Sequence, residues 1–251
     1  MMTVYTVIFF ITGLIFGSFF NVVGLRVPIG KSVVTPRSHC PTCKRYLHAF
    51  ELIPVLSYIL QRGKCRTCAT NISPIYPVME LLTGLLFAYS FSRFHWSFEL
   101  IEVLFLISML IILTVSDITY MLIPNKLLLF FFFLFLIVRF VKPLNPWWDS
   151  VLGAALGFFV LFLIMIVSRG GMGGGDVKLF SLLGFLLGAK QIMIIFFFSS
   201  FFGALYGLMM MIFGQYNRKT AIPFGPFIAL GTIFTVFNAE SVIQWYMNLL
   251  S

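Results

Sequence analysis

Residues 99–116 read ELIEVLFLISMLIILTVS, and Asp117 follows them directly. Beyond Glu102 the stretch contains no charged residue until that aspartate. A helix of this length covers about 27 Å, close to the roughly 30 Å hydrocarbon core of a bilayer. We therefore predict a transmembrane helix that ends at a carboxylate on one membrane face.

The whole chain has the composition of a membrane protein. Apolar residues make up 60% of its 251 residues and charged residues 10%, whereas soluble domains carry about 25% charged residues. Its 32 phenylalanines present more apolar surface than a soluble core of this size can bury, but lipid solvates such surface. The composition excludes an ordinary soluble domain.

The apolar segments predict an all-α polytopic membrane protein with about eight transmembrane helices. The candidate spans are 4–23, 76–92, 99–116, 126–141, 149–168, 177–189, 191–213 and 223–239. Segment 177–189 is short for a span, and its Gly184 and Gly188 indicate close helix packing or a re-entrant turn.

The first apolar segment predicts a retained helix. A signal peptide carries its positive charge before the apolar run, but the first basic residue here is Arg26, after that run. We therefore expect the N-terminus outside and the connections 24–75, 117–125, 169–176 and 214–222 in the cytosol. With the boundary residues Lys126 and Lys178 included, thirteen of the 17 lysines and arginines then lie on the cytosolic side, in agreement with the positive-inside rule.

The predicted organisation is a membrane domain with one inserted loop. Residues 1–25 form the first transmembrane helix, residues 26–75 a basic cytoplasmic loop, and residues 76–251 the remaining membrane domain. The loop holds eight basic residues between Arg26 and Arg66 against one acid, Glu51. No alternation of aromatic and basic residues accompanies them, so we expect the lipid bilayer, and no nucleic acid, as a partner.

Four cysteines in the loop form two C-x-x-C pairs, Cys40 with Cys43 and Cys65 with Cys68, separated by 21 residues. Each pair places two thiolates on one turn, and two pairs complete a tetrahedral S₄ site, which predicts a structural Zn²⁺. Two disulfides are an alternative that the reducing cytosol disfavours. Redox chemistry is another, but no thioredoxin-like βαβ pattern is present. His39 could replace one cysteine ligand, although a solvated loop histidine is the simpler interpretation.

Two aspartates lie where predicted helices meet water. Asp117 closes the third segment and Pro124 suits the start of the fourth, so we expect Asp117 on a short connection at the membrane surface. Asp176 follows the glycine-rich run 170–175, where a substrate backbone could approach closely. Taken alone, Asp176 also suits a helix cap.

The two aspartates follow odd-numbered segments and are therefore predicted on the same membrane side. Two carboxylates within hydrogen-bond range share a proton, because both cannot ionise easily. The ionised carboxylate then activates water while the protonated one polarises a peptide carbonyl, which is aspartyl proteolysis. Carboxylates in membrane helices also serve ion or proton transport, and the residues alone suit either function. Glu80 and Lys178 are secondary candidates.

These motifs resemble those of the type IV prepilin peptidases, which are polytopic aspartyl proteases with a GxGD motif. The resemblance covers nearly the whole chain. It rests on residues 17–23 (GSFFNVV), 26–28 (RVP), 38–43 (SHCPTC), 53–54 (IP), 65–68 (CRTC), 72–77 (ISPIYP), Glu80, Asp117 with 123–125 (IPN), 171–179 (GMGGGDVKL) and 222–227 (IPFGPF).

The resemblance implies an endopeptidase that removes the short basic leader of type IV pilin or pseudopilin precursors. It implies Asp117 and Asp176 as the catalytic residues, the four cysteines as zinc ligands, and a bacterial cytoplasmic membrane with the active site facing the cytoplasm. Many members also methylate the new N-terminus with S-adenosylmethionine, for which no binding residue is assigned here. Members serve pilus assembly, type II secretion or DNA uptake.

Two other classes of function stand beside the peptidase. A transporter or proton channel would use Asp117 and Asp176 to move ions, and predicts flux through the reconstituted protein. A membrane adaptor would hold a partner through the cysteine loop, and would depend on the cysteines rather than on the aspartates.

Overall fold

The computed structural model describes residues 1–168, 172–213 and 222–250, and beyond Ala239 little more than the backbone. In these ranges the chain forms α-helices, short 3₁₀ turns and two isolated β-bridges, without a β-strand. The all-α class is confirmed. Gly170 and Gly171 of the glycine-rich run lie outside the described residues. So do three of the cations that we counted on the cytosolic side, Arg169, Arg218 and Lys219.

Eight helices of the described ranges coincide with the eight predicted apolar segments, and one short helix, α2, lies in the inserted loop. The nine are α1 (Met2–Arg26), α2 (Leu56–Leu60), α3 (Ile75–Phe94), α4 (Phe98–Tyr120), α5 (Asn125–Val141), α6 (Asp149–Val167), α7 (Gly174–Leu187), α8 (Ala189–Ile212) and α9 (Gly225–Leu250).

Five of these helices, α1, α3, α4, α6 and α8, are long and apolar enough to cross a membrane. The chain is therefore a multi-pass membrane protein. Helices α5 and α7 have 17 and 14 residues, and the apolar part of α9 covers Gly225–Ala239. The count of eight spans remains a prediction.

The chain divides into two compact units, Met1–Thr119 and Tyr120–Ser251. In the first unit, α1 packs closely against α3 because both present small residues at their contact. A Cβ on Gly13 would lie 2.8 Å from Gly84 Cα, and a Cβ on Gly17 would lie 2.9 Å from Glu80 Cα. Close backbone approach of this kind is the usual way in which membrane helices gain packing contacts.

Helix α4 is the most buried of the candidate spans, with 61% of its apolar window inside the protein. Every residue from Met109 to Asp117 is buried. A helix that is apolar on all sides belongs in the interior of a bundle rather than at its surface. Residues 99–116 therefore form part of a core helix that is also a candidate span.

In the second unit, α7 packs along α6 and is capped at its C-terminal end. A Cβ on Gly153 or on Gly184 would collide with the carbonyl group of the other glycine, so the two helices cross at backbone contact. At the C-terminal end of α7, the buried Arg139 donates hydrogen bonds to Leu186 O. Since the last carbonyls of a helix have no partner within it, this arginine acts as their cap.

Candidate functional site

The two cysteine pairs of the insert adopt the same backbone turn. In the first, Lys44 N donates to Cys40 O at 3.0 Å, and in the second Ala69 N donates to Cys65 O at 2.9 Å. The residue after each second cysteine has a left-handed backbone, with φ of 60° at Lys44 and 55° at Ala69. The repeated turn directs both thiols of a pair to one side.

The four cysteine sulfurs converge as a metal site requires. Their Sγ atoms all lie within 4.8 Å of one another, and those of Cys40 and Cys68 are 3.7 Å apart. Tetrahedral zinc with Zn–S bonds of about 2.3 Å separates its sulfurs by about 3.8 Å, so the donor set fits that ion. None of the four forms a disulfide, and His39 instead pairs its Nδ1 with Arg37 O.

The turn also favours the thiolate that a metal binds. The backbone N–H groups of Cys68 and Thr67 point at the Cys65 sulfur and lower its pKa to about 6. The Thr70 hydroxyl, at 3.2 Å, lowers the pKa of Cys68. Hydrogen bonds to a charged form favour that form, so the second pair is prepared for a cation.

A charged clamp that the sequence did not predict ties the two pairs together. Arg45 donates two hydrogen bonds to the Glu51 carboxylate, at 2.9 and 2.8 Å, and Arg66 Nε lies 3.9 Å from the same group. Arg45 follows the first pair and Arg66 lies inside the second. Arg45, with a smaller effect of the His48 N–H, lowers the pKa of Glu51 to about 2. The only sequence signal was one acid among eight bases.

Asp117 lies in the last turn of α4, which continues to Tyr120, and not on the connection where we expected it. The expectation was wrong because Ile118, Thr119 and Tyr120 extend the helix before the chain turns at Met121, where φ is 52°. Its carboxyl is buried, with 6% of the residue exposed. The carboxylate is therefore fixed by a rigid helix at the edge of the first unit.

Asp176 lies in the first turn of α7, where Gly173 is the N-cap. The suggestion that Asp176 itself caps the helix is therefore wrong, because its backbone N–H already donates to Gly173 O at 3.1 Å. A carboxylate in the first turn is stabilised by the helix dipole. The residue is 7% exposed, which gives it a rigid and mostly dry setting.

The glycine-rich motif packs against the segment that starts α5. A Cβ on Gly175 would lie 2.8 Å from Ile123 Cβ, whereas a Cβ on Gly174 would meet nothing within 4 Å. Three residues further along, Lys178 Nζ donates to Asn125 Oδ1 at 2.9 Å. The IPN and GGGDVKL motifs, far apart in sequence, thus form one local structure.

Glu80 connects α3 with the insert. This buried carboxylate accepts a 2.7 Å hydrogen bond from Val55 N, and Val55 has an unusual left-handed φ of 61°. The sequence singled out Glu80 but not its partner, which is 25 residues away and contributes only a backbone group.

Two family models match the chain. Residues 11–94 match the bacterial peptidase A24 N-terminal domain, and residues 104–208 match the type IV leader peptidase family. The first match contains the insert and the cysteine pairs. The second contains Asp117 and Asp176.

Whole-chain relatives agree with these matches. A prepilin leader peptidase/N-methyltransferase of Bacillus subtilis (strain 168) is 45% identical over 96% of this chain and 98% of its own length. Relatives with the same name from Myxococcus xanthus (strain DK1622) and Aeromonas salmonicida (strain A449) are 36% and 31% identical. Those matches cover 83% and 95% of this chain, and 64% and 92% of the relatives. No solved structure matches the chain significantly.

Proposed function

This chain belongs to the type IV leader peptidase family, and from that premise we propose that it cleaves the leader from type IV pilin or pseudopilin precursors with Asp117 and Asp176. It is a prepilin-processing membrane peptidase by family. The assignment of the two aspartates, the cytoplasmic orientation of the site and the particular substrate are our proposals.

One observation supports the pairing of the aspartates above all others. Asp117 lies in the last turn of a buried helix, and six residues later Ile123 packs against Gly175, the neighbour of Asp176. Both carboxylates are more than nine-tenths buried, and each belongs to a rigid helix end. Two buried carboxylates that share a site titrate as one coupled pair.

Such a pair performs hydrolysis without a covalent intermediate. The protonated carboxyl donates a hydrogen bond to the scissile carbonyl oxygen, while the ionised one removes a proton from water as the water oxygen bonds to the carbonyl carbon. The C–N bond then breaks as the leaving nitrogen takes a proton from a carboxyl. The pair returns to one shared proton.

The family match and the names of the relatives described above are those of a peptidase, and they give the transport alternative no support. They also extend the proposal to methylation of the new N-terminus, with S-adenosylmethionine as the methyl donor. The described residues contain no parallel β-sheet of the nucleotide-binding type, and we assign none of them to that cofactor.

For the four cysteines we propose Zn²⁺ as a structural ion. Cys40, Cys43, Cys65 and Cys68 would fill its coordination sphere, so that no water could be activated there. When bound, the ion would fasten the two turns of a loop that is too small to build a core of its own.

The test is cleavage of a co-expressed prepilin by full-length variants. Asp117→Asn and Asp176→Asn preserve shape but remove the ionisable pair, so we expect uncut precursor beside normally inserted protein. Asp149→Asn is the matched control, because Asp149 accepts a hydrogen bond from Ala189 N at 3.2 Å and asparagine caps a helix equally well. Mass spectrometry of the pilin N-terminus reads cleavage and methylation together. Normal processing by either active-site variant would refute the assigned pair.

A further inference from the structure

The short helix α2 of the insert has an inverted distribution of apolar residues. Its Leu56, Ile59 and Leu60 are 58%, 62% and 77% exposed, while Ser57 and Tyr58 are half-buried. Because residues three and four apart share one side of a helix, these three apolar side chains form one surface, the α2 face. A soluble helix turns such residues inward, so the α2 face is built for an apolar environment.

A hydrogen bond ties the start of α2 to the beginning of α3. Val55, the residue before α2, donates its N–H to Glu80, which lies in the second turn of α3. Five residues of helix separate Glu80 from the start of α3, or about 7.5 Å. Interfacial helices bury their apolar side about 5–10 Å into the boundary between headgroups and acyl chains. The start of α2 therefore lies beside a candidate span and not out in solvent.

Helix α3, to which the start of α2 is hydrogen-bonded, also has an exposed apolar side. Val78, Leu81 and Leu85 of that helix are exposed, and their spacing places them on one side of it. Since α3 is long and apolar enough to cross the membrane, its exposed apolar side faces lipid.

Basic residues follow α2 directly. Arg62, Lys64 and Arg66 are exposed, and the chain around them is fixed to the second cysteine pair, since Ile72 N donates to Gly63 O at 2.7 Å. Apolar side chains beside exposed cations are the combination that binds a membrane surface containing anionic lipid.

We propose that the α2 face docks the cysteine-bearing insert onto the lipid surface of the same membrane, with Arg62 and Lys64 on the phosphates of anionic headgroups. The bilayer, and not a protein, is the occupant of this face. Backbone hydrogen bonds connect the segment after α2 with the second cysteine turn. Docking of α2 therefore fixes the orientation of the insert against the membrane. The inference does not depend on the catalytic role of the aspartates.

The test uses the full chain in lipid nanodiscs, with the photoreactive residue p-benzoylphenylalanine at one position. Ile59→p-benzoylphenylalanine should form phospholipid adducts on illumination. The matched control is Tyr46→p-benzoylphenylalanine in the first cysteine turn, because Tyr46 is 61% exposed and Ile59 62%. We expect lipid adducts at position 59 and a yield close to background at position 46.

The lipid charge is varied in a second arm. Replacing phosphatidylcholine in part by phosphatidylglycerol should raise the adduct yield at position 59 by about fivefold for each basic residue engaged. The double substitution Arg62→Gln with Lys64→Gln should remove that increase.

Three results would overturn the proposal. Equal adducts at positions 46 and 59 would show unselective collision, and absence of adducts at 59 would show that the face stays clear of lipid. Adducts of position 59 with a prepilin reconstituted in the same nanodisc, in place of adducts with lipid, would show that the face binds the substrate instead. Prepilin cleavage, measured in parallel, reports separately on the proposed function.

Discussion

At the scale of single residues, the glycines before Asp176 are not equivalent. Gly174 has open space where a Cβ would stand, whereas Gly175 lies against the side chain of Ile123. Ile123 is buried, and it belongs to the segment that follows Asp117. The small size of residue 175 therefore lets the start of α7 lie against the segment that leads into α5.

This difference gives a prediction with its own control. Gly175→Ala should push α7 away from Ile123, and a displacement of about 1 Å in an active site costs up to roughly 10²-fold in rate. Gly174→Ala should cleave prepilin at nearly the rate of the unsubstituted protein, since alanine favours the helix and meets no neighbour. The measurement is the initial rate of prepilin cleavage by both variants and by the unsubstituted protein, in membranes of matched enzyme content. Equal loss in both variants would contradict it.

A second prediction concerns Glu51, the acid shared by the two cysteine turns. Glu51→Gln should leave Arg45 without its ionic partner and loosen both turns. Loss of a partner in the outer shell of a metal site costs roughly 10–100-fold in affinity. We expect proportionally faster zinc transfer to a chromogenic chelator, with His39→Gln, next to a ligand but outside the clamp, as the control.

The pH of that experiment follows from the pKa of Glu51. Arg45 lowers this pKa to about 2. The ionised Glu51 therefore contributes its full stabilisation to the folded insert when the pH is above the ordinary glutamate pKa of about 4.3, and this contribution is lost as the pH falls toward 2. A comparison at neutral pH therefore measures the full effect. Zinc transfer at the same rate in Glu51→Gln and the unsubstituted protein would show that the clamp does not support the site.

At the scale of elements, apolar runs in the sequence were enough to place eight helices. Lipid imposes a length and a composition on any segment that it surrounds, so the signal is strong and local. The C-x-x-C spacing likewise predicted the cysteine cluster. Two residues between the cysteines of a pair place both thiols on one turn, where they can bind the same metal ion.

What the sequence did not predict depends on contacts between distant residues. The extension of α4 past Asp117 has no composition signal, since Ile118, Thr119 and Tyr120 suit a helix or a turn. The bond from Val55 to Glu80 uses a backbone group, which any residue could supply. In the sequence, Arg139 was only one of the cations counted outside the cytosolic connections. In the folded chain its guanidinium caps α7, which the sequence alone does not reveal.

At the scale of the whole molecule, the position of Lys190 decides between eight spans and a re-entrant α7. Lys190 is exposed and follows the turn at the end of α7. With eight spans and the N-terminus outside, Lys190→Cys should react in intact cells with a maleimide that does not cross the membrane. Trp147→Cys should react likewise, and Leu122→Cys only after the cells are opened. Labelling of position 190 only in opened cells would establish the re-entrant turn.

Helix α7 also determines how the proposed chemistry obtains its water. If α7 crosses the membrane, its 14 residues cover about 21 Å and leave roughly 9 Å of the hydrocarbon core uncovered. In that case the bilayer must thin around the helix or admit solvent. Arg139 caps the Leu186 end of the helix, and the other end carries Asp176 and the exposed Lys178. Such thinning at the end that carries Asp176 would bring water to the proposed pair at the membrane surface.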